Sequence, residues 1–404
     1  MQFLWGLMGV VVLLGIAYLL SSNKKAINWR TILGALALQI LFAFIVLWTE
    51  WGNTALTFVT SAVQQAIDTS AAGIDMLFGG VLQGEGVGNV FAFQVLPIII
   101  FFSAVISILY HFGIMQFIVK HLGGWISRLL GTSRAESISA TGNIFVGQTE
   151  APLLIKPYLG KMTKSEMFAV MTGGMATVAG SVMAGISQMG VPLEYLIAAT
   201  FMSAPGGLLM AKMLMPETEV SETKDKIDFK VDKTSTNVID AASNGALDGL
   251  KLALNVGAML IAFVSLIALI NLILGTVGGW FGYAITLEEI LGYIFSPMAW
   301  LIGVPWNEAV QAGSFIGQKT IINEFIGFDA LMSSAGEISE RTFVIASFAL
   351  CGFANISSVA ILLGGLGGLV PDRRPLIAKY GVKALIAATL VNLMNAAIAG
   401  MLIG

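Results

Sequence analysis

Hydrophobic and polar positions along this chain fall into long blocks instead of alternating. Apolar runs at about 3–21, 31–49, 91–111, 166–186, 193–213, 250–277, 341–366 and 376–402 each approach or exceed the roughly 20 residues a helix needs to cross ~30 Å of hydrocarbon. They predict eight transmembrane helices. Two further stretches, about 123–159 and 288–332, are apolar but interrupted, by Gly142, Gly147, Glu150 and Pro152 in one and Gly313, Gly317, Lys319 and Glu324 in the other. Non-helical backbone at membrane depth is tolerated only where it is buried in protein or lines a cavity. Each stretch is therefore predicted to be a re-entrant hairpin that enters and leaves on one side. Over 54–75, Phe58, Val59, Ala62, Val63, Ala66 and Ile67 recur at helical spacing with Gln64, Gln65 and Asp68 between them. That pattern predicts an amphipathic helix lying in the outer interface.

The fold class expected is an all-α integral membrane protein with eight spans, two re-entrant hairpins and one interfacial helix. A repeat organises it. Gly174-Met175-Ala176-Thr177-Val178-Ala179 resembles Gly352-Phe353-Ala354-Asn355-Ile356-Ser357, 178 residues further on. The hairpins echo each other too, Val146-Gly147-Gln148-Thr149 against Ile316-Gly317-Gln318-Lys319. The first hairpin is expected to open inward and the second outward, so the repeat is inverted. An inverted repeat marks a secondary transporter whose site lies near the midplane. The expected divisions are 1–90 as scaffold helices with the interfacial helix, 91–216 as the first repeat, 217–245 as a solvated inner linker, and 246–404 as the second repeat.

Composition agrees with the pattern. Of 404 residues, 56% are hydrophobic and 11% charged, against about 25% charged in soluble domains. Under the eight-span map every Lys and Arg except Lys319 and Arg341 falls on one side, while Glu50, Asp68, Asp75 and Glu85 face the other with no base among them. The positive-inside rule then places both termini outside. The first apolar run has no basic residue before it and no small-residue cleavage pattern after it, so it reads as a span and not as a cleaved signal. A net charge of −3 gives no reason to expect a nucleic-acid partner. The single cysteine, Cys351, rules out a disulfide framework within the chain. An intramembrane enzyme would need a metal triad or a nucleophile with its base, and the pattern supplies neither at depth.

Polar residues at membrane depth are costly and mark function. They cluster at Asn143 and 146–152, at Thr177-Val178 through Val182, at Lys319 with Asn323-Glu324-Phe325, and at Phe353 to Ser358. Amides, hydroxyls, two carboxylates and an aromatic ring suit an uncharged, polyhydroxylated, partly aromatic solute. An anion would call for arginine, and none lies at that depth. Lys319 reads first as a neutralising contact for Glu324. Another polar solute remains open on these residues alone, as does a proton as coupling ion, with Glu150 or Glu324 as its carrier.

Gly-Gln-Thr-Glu-Ala-Pro at 147–152, Asn-Glu-Phe at 323–325 and Gly-Phe-Ala-Asn-x-Ser-Ser at 352–358 together resemble the concentrative nucleoside transporters of the bacterial eight-span type, over nearly the whole chain. The resemblance implies a homotrimer in the plasma (bacterial inner) membrane that imports nucleosides such as uridine or adenosine with sodium. Its mobile domain would slide past a fixed scaffold, as in an elevator. It also implies that Gln148, Thr149 and Glu150 face the nucleobase with Val182 and Phe353 packed against it. Glu324, Asn355 and Ser358 would hold the ribose. Asn143 and Thr177 would give side-chain oxygens to sodium, and Val146 and Val178 backbone carbonyls.

Overall fold

The computed structural model describes residues 2–82, 90–224, 235–280, 282 and 285–403. Glu85 and residues 225–234, part of the expected linker, lie outside them. Among the described residues no strand occurs. The chain opens with α1 (Gln2–Leu19), α2 (Trp29–Trp48), α3 (Glu50–Thr69) and α4 (Ala71–Leu82). Asn28 caps α2 by accepting from the N–H groups of Arg30 and Thr31. The amphipathic pattern at 54–75 is thus part of two helices, the first starting at Glu50.

The rest of the chain runs in two passages. The first passage is α5 (Phe91–Gln94), α6 (Leu96–His111), α7 (Ile114–Leu130), α8 (Arg134–Gly142), an irregular stretch with a 3-10 turn at Ala151–Ile155, α9 (Lys156–Leu159), α10 (Lys164–Ala176), α11 (Gly180–Gln188) and α12 (Leu193–Leu214). The second is α13 (Val238–Trp280), α14 (Leu287–Leu301), α15 (Trp306–Ile321), α16 (Glu324–Ser333), α17 (Glu340–Leu350), α18 (Ile356–Leu369) and α19 (Arg374–Leu402).

Two expected spans are not continuous helices. The run at 166–186 breaks after Ala176: Thr177 has φ −115°, ψ 166° and Ala179 φ −63°, ψ 145°. The run at 341–366 breaks after Leu350, and Asn355 then caps α18. Hydropathy cannot see such breaks, because the residues on both sides stay apolar. By length and composition seven described helices or joined pairs could cross a bilayer, or eight counting α14–α15; neither α17 nor α18 does so alone. The two interrupted stretches are built from several helices. Ser133 starts α8 with a reciprocal capping box to Glu136, which leaves α7 as a separate helix. In the second stretch α14 meets α15 at 115°, turning at Gly303, whose φ of 107° suits glycine.

Burial sorts the helices. Of the apolar window of α12, 94% is buried, against 6% for α13. α13 pairs with α6 and leaves Leu254, Ile261, Leu269 and Leu272 exposed. Apolar surface on that scale is stable against lipid tails and unstable against water. The buried body is α8, α10, α12, α17 and α19. α1 lies on α19 and α2 on α12, so the first two helices pack on this body. Within the expected inner linker, the described residues 217–223 are bonded to the helices. Glu217 accepts from Thr163 Oγ1 at 2.7 Å, Glu166 from Ser221 and Thr223, and the Thr223 carbonyl from the Arg134 N–H at 3.3 Å. Lys164 reaches Glu219 at 3.0 Å, and that hydrogen-bonded ammonium holds the Glu219 carboxyl below its ordinary pKa. Residues 217–223 are strapped across α8 and α10, and α13 starts at Val238, inside the expected linker.

Candidate solute and cation site

The expected site residues gather where the two helix breaks meet. A half-helix leaves unpaired carbonyls at its C-terminus and unpaired N–H groups at its N-terminus. Here α10 and α17 end, and α11 and α18 begin, within one buried region. The Phe353 N–H donates to the Thr177 carbonyl at 3.2 Å, joining the breaks directly. The first hairpin stretch is tied in by the Gly180 N–H, which donates to the Phe145 carbonyl at 3.1 Å. Thr149 reaches the second half: a Cβ added at Gly365 on α18 would lie 2.4 Å from its methyl carbon.

Each predicted solute residue has a definite place. Glu324 is buried at the start of α16, and its Oε2 accepts from Asn355 Nδ2 at 3.0 Å. The Asn355 amide has one possible orientation. Its Oδ1 is taken by Ser357 Oγ at 2.7 Å and by the Ser358 N–H at 2.9 Å, so its NH2 must face the carboxylate. Asn355 and Ser358 are buried and Phe353 half-buried. Gln148 is buried with Oε1 unpartnered, next to Gly174, where an added Cβ would lie 2.8 Å from the Gln148 Cβ. Glu150 is exposed and accepts from the Gly147 N–H at 3.3 Å. Val182 is buried in the first turn of α11.

The donors expected for a cation are Asn143 Oδ1, Thr177 Oγ1 and the carbonyls of Val146 and Val178. Asn143 is 1% exposed, and neither amide atom has a hydrogen-bond partner. An orphaned buried amide is expensive, and a bound cation would satisfy its oxygen. The Thr177 hydroxyl donates to the Gly173 carbonyl at 3.1 Å, which leaves the oxygen lone pairs free to ligate. Val146 and Val178 lie in non-helical backbone. Neutral oxygens of this kind suit a monovalent ion at a broken helix.

Lys319 is placed differently from the contact with Glu324 that its sequence position suggests. Its Nζ donates to Asn392 Oδ1 at 2.7 Å and to the Ala349 carbonyl at 3.4 Å. Sequence reasoning missed the residues of α19 altogether. Asn392 and Asn395 are buried, and Asn395 Oδ1 accepts from Gln39 Nε2 at 2.6 Å. The available signal was two amides three residues apart in an otherwise apolar run. A buried ion pair of Lys212 with Glu136 at 2.7 Å was missed for the same reason: each residue looked like an ordinary member of the inner boundary.

Family models cover nearly all of the chain. A Na+ dependent nucleoside transporter N-terminus matches residues 8–81, a nucleoside recognition (Gate) model 92–193, and a Na+ dependent nucleoside transporter C-terminus 195–400. The chain is 53% identical to an uncharacterized transporter, YutK, of Bacillus subtilis, with both chains covered in full. It is 48% identical to the nucleoside permease NupC of Helicobacter pylori, over 99% of this chain and 98% of the relative. The inward-facing, substrate-bound structure of CNTnw matches with a TM-score of 0.95 at 51% identity, over 100% of this chain and 98% of that one. A variant of the same transporter solved in an outward-facing state matches equally well, also at 0.95. Matches of this extent and identity make the chain a member of the concentrative nucleoside transporter family, a transporter and not an enzyme.

Proposed function

We propose that this protein is a sodium-coupled nucleoside importer working by an elevator-type alternation. Asn143 carries the reading: it is a buried amide with no partner, beside the break at Thr177, in a chain whose family models are described as Na+ dependent. Sodium ligated by Asn143, Val146, Thr177 and Val178 orders the break, and the nucleoside binds against it. Gln148, Thr149 and Glu150 take the base edge, Val182 and Phe353 its faces, and Glu324, Asn355 and Ser358 the ribose hydroxyls.

The eight spans, the two re-entrant hairpins and their inverted repeat belong to the same proposal, supported by the helix break in each half, after Ala176 and after Leu350. The moving body comprises the two broken helices, the hairpins and α12 and α19, together with α1 and α2, which pack on those last two. The exposed α6–α13 pair is the fixed frame. The protein is a homotrimer of the bacterial inner membrane with both termini outside. Relatives solved in inward- and outward-facing states support alternation.

Uptake of radiolabelled uridine and adenosine into proteoliposomes tests this, with an inward sodium gradient, an inward proton gradient or neither. Sodium-driven accumulation is expected. Accumulation driven by protons alone would displace the cation site, and accumulation of neither nucleoside by folded protein would displace the substrate class.

A further inference from the structure

Asn392 lies outside every residue assigned above, yet its amide touches both halves of the site. Its Nδ2 donates to the carbonyl of Ala176 at 2.8 Å and to that of Cys351 at 3.0 Å. Ala176 is the last residue of α10, and Cys351 follows the last residue of α17. One side-chain NH2 thus satisfies orphan carbonyls at two helix C-termini that belong to different halves of the chain. Two helix C-termini converging in a buried place also bring together two regions of negative partial charge. The Lys319 ammonium meets that charge, directly at the Ala349 carbonyl and through Asn392 Oδ1. Lys319 thereby fixes the amide, since its bond to Oδ1 forces the NH2 toward the carbonyls.

The neighbours of those carbonyls give the arrangement its meaning. Thr177 and Val178, proposed cation ligands, follow Ala176 directly. Phe353 and Asn355, proposed nucleoside ligands, follow Cys351 by two and four residues. The bond from the Phe353 N–H to the Thr177 carbonyl runs alongside. Gly352 leaves just enough room for the amide: an added Cβ would lie 2.5 Å from Asn392 Oδ1. From this we infer that Asn392 is a positioning residue that couples the two sites, so that a cation ordering 176–178 also orders 351–355 for the nucleoside. The inference rests on the sodium-coupled reading above. It goes further in naming a residue that touches neither ligand and carries the linkage between them. Linkage of this kind is reciprocal, and it is measured as a change in one ligand's affinity caused by the other.

The experiment is uridine binding by titration calorimetry on purified full-length protein, in sodium chloride and in choline chloride. The wild type is expected to bind uridine about fivefold or more tightly with sodium. Asn392→Asp keeps the acceptor for Lys319 but has no N–H to give the carbonyls. Its sodium-to-choline affinity ratio should fall toward one, chiefly through weaker binding in sodium. Gly352→Ala should lower the same ratio by displacing the amide, and it provides the measurement if Asn392→Asp does not fold. A purely structural role would weaken binding equally in both salts and leave the ratio unchanged; that result overturns the inference alone. Wild-type protein that binds uridine equally in both salts overturns the inference together with sodium coupling. Wild-type protein that binds no uridine in either salt overturns the functional reading as a whole.

Discussion

Replacing Glu324 by glutamine removes one oxygen and one charge, and the hydrogen bonds around it decide how the new side chain must sit. Asn355 presents its NH2 to residue 324 because Ser357 and Ser358 already hold its carbonyl oxygen. Glutamine must therefore turn its own carbonyl toward Asn355 and its NH2 toward the solute. The acceptor proposed for two ribose hydroxyls becomes a donor. At least one charge-assisted hydrogen bond is lost, worth about 1.5–3 kcal/mol, which corresponds to a roughly 10- to 150-fold weaker affinity. Uridine and 2′,3′-dideoxyuridine, titrated into wild-type and Glu324→Gln protein in sodium, form a cycle. Wild type should prefer uridine, and the variant should lose most of that preference while its thermal midpoint stays close to wild type. A variant that still discriminates between the two ligands as wild type does would refute the ribose assignment, however large its overall loss of affinity.

Asn143→Ala and Thr177→Val should each raise the sodium concentration needed for half-maximal uptake while leaving the order of preference among nucleosides unchanged; a shifted preference with an intact sodium response would misplace the cation site. Lys212→Met strands the buried Glu136 carboxylate and should destabilise the protein by about 3–5 kcal/mol, read as a lowered thermal midpoint in detergent, and the double variant Lys212→Met/Glu136→Gln should recover most of that loss. Gly313→Ala sets a methyl 2.6 Å from the Gly292 carbonyl oxygen across the α14–α15 contact; it should cost about 1–3 kcal/mol in the same melting assay, without changing sodium dependence in whatever protein remains folded.

Glu324 and Asn392 mark the boundary of what the sequence made legible. Glu324 stands out because a carboxylate in an apolar, glycine-interrupted stretch has no structural excuse, and its neighbours Asn323 and Phe325 complete a recognisable motif. Asn392 does not stand out, because an amide in an apolar helix is tolerated wherever it finds partners. Its partners are main-chain carbonyls at 176 and 351, which any residue supplies and which therefore leave no mark in the sequence. The helix breaks are hidden in the same way. Thr177 and Asn355 are visible as polar residues, but nothing in the local sequence marks where the backbone opens. Lys319 shows the same limit. Adjacency in sequence offers Glu324, whereas in the fold its ammonium donates to Asn392 Oδ1 and to the Ala349 carbonyl at a helix end. Chemistry carried by a side chain can be read from the chain as written, but chemistry carried by the ends of helices becomes readable only once the fold has brought those ends together.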